Sequence, residues 1–341
     1  MKQNIVFRID FSGIFGYGHL IRCLTVLENI KKNNINFFFI ILSSDFNNIF
    51  LKKIKKYKIF KFNYKTNNYY KNIKADLIFT KEILKKINKP TLIVDSYSIN
   101  KNWCIQTSKL VKKIILFNDV LEKKIFCDVL IDHTFDRKIN NYKKYITKKT
   151  SVFAGHQYAV LRKQFNLYLH NYKIQNNILI SMGGTDPQNK TLEIIDFVTK
   201  IFSNSSVIVI LNKSSKQISI IKKKYPSFLN KKKIIIFSDI YNIMPIYKKS
   251  SFCIGAGGVS ALERCKIGLP SLVYQAAKNQ SNIIENMKNN KLIKVWKNKK
   301  DLYDLLIMIK NNKYILNKLN KNCLKANIGS KTNLFYESIL K

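Results

Sequence analysis

The sequence predicts an α/β protein built from two Rossmann-like, doubly wound domains that face each other across a cleft. Short apolar runs alternate with longer amphipathic segments, which is typical of parallel strands joined by helices. This alternation starts again near the middle of the chain. The length of 341 residues also exceeds what a single hydrophobic core usually organises.

The apolar runs give the order of the predicted strands. In the first domain they are Ile5–Ile9, Phe37–Leu42, Leu77–Phe79, Thr91–Val94, Lys113–Phe117 and Val129–Ile131. In the second they are Asn177–Ser181, Val207–Leu211, Ile234–Phe237, Phe252–Ile254 and Ser271–Tyr274. Two helices, Asp301–Lys310 and Tyr314–Lys325, and a short tail should follow. A polar and aromatic stretch at 163–175 marks the join, so the predicted domains cover residues 1–165 and 166–341.

The formal net charge of +41 first suggests a nucleic-acid partner. However, the basic residues are almost all lysines scattered along the chain, and only five are arginines. Nucleic-acid proteins more often concentrate charge on one element and use Arg for bidentate contacts. We therefore expect incidental anion binding and no specific nucleic-acid partner.

The six cysteines form no CxxC pair and no metal-like spacing with the four histidines. Free thiols in a reducing cytosol fit this pattern, and neither a metal nor a disulfide framework is indicated. The N-terminus lacks a cleavable apolar region, and no apolar run reaches the roughly 20 residues that a bilayer requires. The expectation is a cytoplasmic protein without membrane insertion.

The eleven glycines are clustered, and three clusters follow a predicted strand and precede a predicted helix. They lie at residues 13–18, at Gly183 and Gly184, and at 255–258. A doubly wound sheet presents its ligand site at such strand ends, where a backbone without Cβ can approach a phosphate. The alternative is that each glycine simply ends a strand.

His19 follows Gly18 in the first turn of a predicted helix. The positive end of that helix should disfavour the imidazolium and keep a neutral imidazole, which suits a general base. The alternative is a histidine that only caps or packs the helix start. The spacing GxGxxG is not met, so no dinucleotide cofactor is indicated.

The glycines at 257–258 open a second strand-to-helix turn. The amides of Gly257, Gly258, Val259 and Ser260 would form an anion site for a diphosphate, with the Ser260 hydroxyl as a further donor. Glu263, one turn later, could accept both hydroxyls of a ribose. A capping box between Ser260 and Glu263 is the simpler alternative. Gly183, Gly184 and Thr185 should face the same ligand.

Together these motifs resemble the PseG hydrolases, which have the GT-B fold shared with MurG-like glycosyltransferases. The matching segments, in family order, are FRIDFSGIFGYGHLIRC (7–23), VDSY (94–97), GHQYAVLR (155–162), SMGGTDP (181–187), GAGGVSALERCKIGLP (255–270) and NQ (279–280). The GxGH segment with its following Arg is what indicates the hydrolases, because the glycine–serine–glutamate segment is common to the transferases.

The resemblance implies a reaction and its residues. The family hydrolyses UDP-2,4-diacetamido-2,4,6-trideoxy-β-L-altropyranose at the anomeric C–O bond with inversion, in pseudaminic acid biosynthesis, without metal or cofactor. His19 would be the catalytic base. Apart from the resemblance, we expect the protein to be a monomer. The resemblance and the turns above give these substrate-binding residues: Arg8, Asp10, Gly16, Gly18, Arg22, Asp95, Tyr97, Tyr158, Arg162, Gly183, Gly184, Thr185, Gly257, Gly258, Val259, Ser260, Glu263, Asn279 and Gln280.

The sequence departs from the family pattern at Asn118, at His156 and at Ser250-Ser251. None of these touches the GxGH or glycine–serine–glutamate segments, although they leave the exact sugar open. Two other functions also stay open. A glycosyltransferase of the same fold would release UDP only when an acceptor is supplied, and a polyanion-binding protein would lose its ligand in moderate salt.

Overall fold

The computed structural model describes residues 2–11, 18–31, 34–43, 49–63, 73–121, 124–147, 149–166, 176–183, 186 and 188–341. The chain forms two compact units. The first contains Met1–Lys163 and Gly329–Lys341, and the second contains Gln164–Ile328.

The first unit is built on a parallel sheet of seven strands in the order β3-β2-β1-β4-β5-β6-β7. The strands are β1 Gln3–Asp10, β2 Ile35–Ser43, β3 Lys58–Asn63, β4 Thr91–Asp95, β5 Lys113–Phe117, β6 Val129–Asp132 and β7 Ser151–Ala154. Its helices are α1 Gly18–Ile30, α2 Ile73–Leu84 and α3 Lys101–Ser108. Short 3-10 turns cover Ile49–Ile54, Ile139–Tyr142 and His156–Tyr158.

The chain order around this sheet fixes where a ligand should bind. From β1 the chain winds to one side through β2 and β3, and it then returns to the other side of β1 with β4. The switch point of a doubly wound sheet is the crevice at the carboxyl ends of the two strands on either side of that return. In this unit they are β1, which ends at Asp10, and β4, which ends at Asp95.

The second unit repeats this plan with six parallel strands in the order β10-β9-β8-β11-β12-β13. The strands are β8 Asn177–Ser181, β9 Ser206–Leu211, β10 Ile234–Ser238, β11 Ser250–Ala256, β12 Ser271–Tyr274 and β13 Lys294–Val295. Its helices are α4 Lys163–Asn166, which begins at the boundary, α5 Lys190–Ile201, α6 Gln217–Lys224, α7 Pro226–Asn230, α8 Met244–Lys248, α9 Val259–Lys266, α10 Ser281–Asn289, α11 Lys299–Asn311 and α12 Tyr314–Lys325. A 3-10 turn covers Lys278–Gln280. The switch point here lies between β8 and β11.

One predicted strand is wrong, because Leu77–Phe79 lies inside helix α2. The buried residues of α2 are Asp76, Thr80, Ile83 and Leu84, which recur at helical spacing, whereas Ile78 within the apolar run is 60% exposed. The three-residue apolar run is thus part of a helix. Two of the side chains on the buried face of this helix, Asp76 and Thr80, are polar, which hides the helical pattern in the sequence.

The C-terminal tail differs from the predicted domain division. It forms a helix, α13 Thr332–Leu340, that groups with the first unit and not with residues 166–328. The Thr332 hydroxyl donates to the Ala159 carbonyl, and buried Phe335 packs edge-on against Phe117 and Phe153 of the first sheet. Burial of this aromatic side chain accounts for the return of the chain.

Within the described part of the chain, no helix combines the length and the apolar character needed to cross a membrane. The six cysteines are buried and carry free thiols.

Candidate active site

Polar side chains gather at the carboxyl ends of the central strands of the first unit. Asp10 ends β1, Asp95 ends β4 and Asp132 ends β6, while Asp119 lies two residues beyond β5. All four strands are parallel, so these carboxylates lie at one edge of the sheet. Helix α1 begins at Gly18 near the same edge, which places His19 in its first turn, as predicted.

His19 pairs with Asp95 across the switch point. The imidazole Nδ1 lies 2.5 Å from Asp95 Oδ1, and the His19 residue is only 5% exposed. An ionised carboxylate can only accept a hydrogen bond, so Nδ1 carries the proton and Nε2 keeps the lone pair in the neutral imidazole. Asp95 therefore sets the tautomer that a base acting through Nε2 requires.

Arg22 holds the other side of the Asp95 carboxylate. Its Nε donates to Oδ2 at 2.6 Å and its Nη2 donates to Oδ1 at 2.5 Å, a bidentate geometry that Lys cannot supply. The guanidinium also lies over the Phe117 ring, 4.7 Å from its centroid. Burial alone would raise the pKa of Asp95, but Arg22 and His19 hold it well below its usual range. Asp95 is thus a fixed negative charge.

His133, which follows β6, completes this cluster and was not identified from the sequence. Its Nε2 lies 3.3 Å from Nη1 of Arg22, and the residue is 3% exposed. Burial, together with the Arg22 charge, lowers the pKa of His133 to about 3. No local motif surrounds His133, so only the fold could place it beside Arg22.

Tyr97 links the His19 imidazole to Asp119. Its ring packs edge-on against the His19 imidazole with centroids 4.8 Å apart, and its hydroxyl donates to Asp119 Oδ2 at 3.1 Å. The predicted residues His19, Arg22, Asp95 and Tyr97 are therefore in direct contact. Asp119 was not among the predicted site residues.

Arg8 and Asp10 belong to a separate buried network. Arg8 donates from Nε and Nη2 to the two oxygens of Asp76 on α2, both at 2.9 Å, and from Nη1 to Asp10 at 2.6 Å. Arg8 has no exposed surface. These contacts tie α2 to the central strand, and a substrate role for Arg8 or Asp10 stays a prediction.

The 155–162 segment lies next to the end of β7. Gly155 has φ near 111°, and a Cβ there would stand 2.8 Å from the Arg137 carbonyl, so glycine is required. Tyr158 is half-buried, and its ring packs edge-on against Phe153. Arg162 is buried. Substrate contacts of Tyr158 and Arg162 stay predictions.

In the second unit, the predicted phosphate turn lies at the switch point between β8 and β11. Helix α9 begins at Val259 and is preceded by Gly258 at φ 110°, a conformation that favours glycine. The first turn of a helix leaves the amides of Val259 and Ser260 without intrahelical acceptors, which suits an anion. Gly257 differs from the prediction, because its amide already donates to the Tyr274 carbonyl at 3.1 Å.

The glycine at 257 has a packing role instead. A Cβ there would lie 2.5 Å from the Ile284 side chain of α10, so a larger residue would force that side chain to shift. Gln280 accepts from the Ala276 amide at 3.0 Å, and its Nε2 lies 3.7 Å from the position that a Cβ of residue 258 would take. Gln280 is thus brought beside the turn, whereas Asn279 is exposed.

The capping-box alternative for Ser260 and Glu263 is wrong. The residue before the helix is Gly258, so Ser260 is already the second helical residue and cannot cap it. Glu263 is buried in the first turns of α9. Its neighbour Arg264 is fully buried and donates to Ser271 Oγ and to the Ala256 carbonyl, which explains an arginine here without a ligand.

Gly183 follows β8, the neighbour of β11, so the two glycine turns lie at adjacent strand ends of one sheet. Gly183 is exposed at φ 93°, and no described atom lies within 4 Å of the position that a Cβ would take there. Gly16, Gly184 and Thr185 lie outside the described residues. Among the described residues, no group of His, Cys, Asp and Glu side chains could hold a metal ion.

No family model matches the chain. Comparison with known proteins yields three curated relatives, which match different shares of the chain. The chain is 25% identical over 306 residues to UDP-2,4-diacetamido-2,4,6-trideoxy-β-L-altropyranose hydrolase of Campylobacter jejuni, covering 87% of this chain and 97% of that one. The resemblance to the PseG hydrolases is confirmed. An uncharacterised protein of Methanocaldococcus jannaschii, MJ1062, is 26% identical over 81% of this chain. The spore coat polysaccharide biosynthesis protein SpsG of Bacillus subtilis is 28% identical over 50%.

This chain spans about half the length of two of these relatives, with 56% of MJ1062 and 50% of SpsG matched. Among solved structures, a Staphylococcus aureus MnaA–UDP complex matches 99% of this chain and 98% of its own with a TM-score of 0.66 at 12% identity. MurG of Acinetobacter baumannii matches 100% of this chain and 99% of its own, with a TM-score of 0.61, also at 12% identity. The chain thus has the GT-B, MurG-like α/β fold, with two domains.

Proposed function

We propose that the protein hydrolyses a UDP-linked amino sugar, UDP-2,4-diacetamido-2,4,6-trideoxy-β-L-altropyranose, at its anomeric C–O bond with inversion. The products are UDP and the free sugar, which would enter pseudaminic acid biosynthesis. The protein would act in the cytoplasm as a monomer, without metal or cofactor. The name and matched length of the Campylobacter relative support this substrate.

The observation that carries the proposal is the His19–Asp95 pair at the switch point of the first sheet. A hydrolase needs a base whose proton-accepting nitrogen is held in one tautomer and one direction. Asp95 supplies both conditions through its hydrogen bond to Nδ1, and Arg22 prevents Asp95 from turning away. A histidine that merely capped its helix would not need a carboxylate fixed by an arginine.

The proposed step balances with these groups alone. A water oxygen forms a bond to the anomeric carbon while the bond from that carbon to the β-phosphate oxygen breaks, with both electrons leaving on UDP. The water proton passes to His19 Nε2, and the imidazolium is stabilised by Asp95. The proton then returns to solvent. Such a base typically contributes on the order of 10²–10⁴-fold.

UDP is assigned to the second unit. The backbone N–H groups of Val259 and Ser260 at the start of α9 would donate to the diphosphate, and the Glu263 carboxylate would accept from the ribose hydroxyls. The diphosphate carries more negative charge once it has left the sugar, so these donors also favour bond cleavage. Sugar contacts are assigned to Tyr97 and its neighbours in the first unit.

The test is UDP release in the absence of any acceptor, in water enriched in ¹⁸O. Hydrolysis with C–O cleavage places the heavy oxygen on the sugar and none on UDP, and NMR of the first product shows the inverted anomer. Label in UDP would contradict the bond assignment. A glycosyltransferase would release UDP only when an acceptor is added, and intact UDP-sugar with changed stereochemistry would indicate an epimerase.

A further inference from the structure

His133 has no part in the step described above, yet it contacts the group that holds Asp95. Its Nε2 lies 3.3 Å from Arg22 Nη1, while Arg22 Nε and Nη2 are both bonded to Asp95. All three nitrogens of the Arg22 guanidinium thus donate a hydrogen bond, each to a different acceptor atom. The guanidinium also lies over the Phe117 ring, so these contacts together restrict the orientation of Arg22.

The chemistry of this contact defines the state of His133. Arginine only donates, so His133 Nε2 must accept and the proton must be on Nδ1. A second proton would place a cation against Arg22 in a buried site, and burial with that charge keeps the pKa of His133 at about 3. The charged and titratable groups that face it are Arg22 and His19 of α1 and Asp95 of β4.

Holding an imidazole here is costly. The Nδ1 atom of His133 is buried and has no hydrogen-bond partner among the residues that the structure describes. A buried donor without a partner lowers the stability of the folded chain, and an apolar side chain would avoid that loss. Packing alone therefore does not explain a histidine at this position, whereas an acceptor for the third arginine nitrogen does.

We propose that His133 is a positioning residue for the reaction: through Nε2 it fixes Arg22, which fixes Asp95, which orients His19. This inference rests on the proposed role of His19 as the base. His133 itself touches neither the sugar nor the attacking water. Its effect should be on the rate of bond cleavage and not on the affinity for UDP.

The chain allows a matched pair of variants. In His133→Gln the side-chain amide reaches the position of Nε2 and can accept from Arg22, whereas in His133→Asn the shorter amide reaches only the position of Nδ1. We expect kcat to fall on the order of 10-fold or more in His133→Asn, since small misplacements of catalytic groups are this costly. His133→Gln should recover most of the rate. KM and the dissociation constant of UDP should change little in both.

A second readout does not depend on turnover. The short His19 Nδ1–H···Asp95 bond should give a downfield proton signal in NMR of the full chain, and ¹⁵N shifts should show neutral His133 protonated on Nδ1. The downfield signal should shift or broaden in His133→Asn and persist in His133→Gln. Equal kcat for wild type and a folded His133→Asn, or a protonated Nε2 at His133, would overturn the inference. If the wild type cleaves no UDP-sugar, the proposed function fails and the NMR result alone decides the positioning role.

Discussion

The two units share one topology but fill their switch points differently. In the first, charged and titratable side chains occupy the strand ends, with His19, Arg22, Asp95 and His133 linked in one chain of hydrogen bonds. In the second, the corresponding turn consists of Gly257, Gly258 and the first amides of helix α9. A fold of the same kind thus offers side-chain chemistry in one place and backbone donors in the other.

Under the proposed function, this difference corresponds to two roles, proton transfer in the first unit and nucleotide binding in the second. Backbone amides and a helix N-terminus hold an anion without changing protonation, so they suit a nucleotide diphosphate. A histidine held by a carboxylate can exchange a proton during each turnover. Variants in the first unit should therefore affect the rate of cleavage, and variants in the second should affect the affinity for UDP.

The largest expected effect is that of Asp95→Asn. The neutral amide no longer fixes the proton on Nδ1 of His19, so kcat should fall on the order of 10²–10⁴-fold. Calorimetric titration of UDP should show an unchanged affinity. Glu28→Gln, exposed near the other end of α1, serves as the control. Wild-type turnover in a folded Asp95→Asn variant would remove Asp95 from the mechanism.

Charge in the first unit also has a purely structural use, and Asp76→Asn measures it. This change leaves the buried Arg8 guanidinium poorly compensated, so the free energy of unfolding should fall by about 3–5 kcal/mol in urea titrations. The matched change Asp196→Asn removes the half-exposed partner of Lys224 in the second unit and should cost much less, because solvent screens this pair. Similar losses for the two variants would contradict the role given to Arg8.

Glu263→Gln tests the nucleotide side. Loss of a charged acceptor for the ribose hydroxyls should weaken UDP binding by about 10- to 100-fold, as expected for hydrogen bonds to charged groups. The maximal rate at saturating substrate should change much less. Glu285→Gln, exposed on α10, is the control. If Glu263→Gln lowers kcat without altering UDP affinity, the assignment of the two units is wrong.

The last expected effect is a pH dependence of stability that originates at His133 and leaves activity at neutral pH untouched. The pKa of His133 is lowered from 6.5 to about 3 in the folded chain, so the unfolded chain binds a proton more readily. The contribution of His133 to the free energy of unfolding is therefore complete above pH 6.5 and is lost as the pH falls from there towards 3. The loss approaches about 1.4 kcal/mol per pH unit. Urea titrations between pH 7 and 4 should show a shallower decline in His133→Gln, and parallel curves would exclude this origin.

Much of the fold could be predicted because interior strands of a parallel sheet are continuous apolar runs. Asn177–Ser181, Lys113–Phe117 and Ser271–Tyr274 have the predicted bounds. The strands without a prediction are β3, β7 and β13, which all lie at sheet edges. An edge strand is covered less completely, so polar residues interrupt its apolar pattern, as lysines do in β3.

The candidate site also contains residues that could be predicted from the sequence and residues that could not. His19, Arg22, Asp95 and Tyr97 could be named because they belong to short motifs that carry the family resemblance. His133 and Asp119 have no such motif, and His133 reaches Arg22 across 111 residues of chain. The hydrogen bond of the Gly257 amide could not be predicted from the sequence either, because its acceptor, the Tyr274 carbonyl, is brought there by the pairing of β11 with β12.

The most direct measurement of the central claim compares His19→Ala with the wild type in two assays on the same samples. UDP binding is followed by calorimetry, and acceptor-free UDP release from the UDP-linked diacetamido sugar is followed over time. The account predicts equal UDP affinity with a rate lowered on the order of 10²–10⁴-fold. Undiminished release by a folded His19→Ala protein would contradict it.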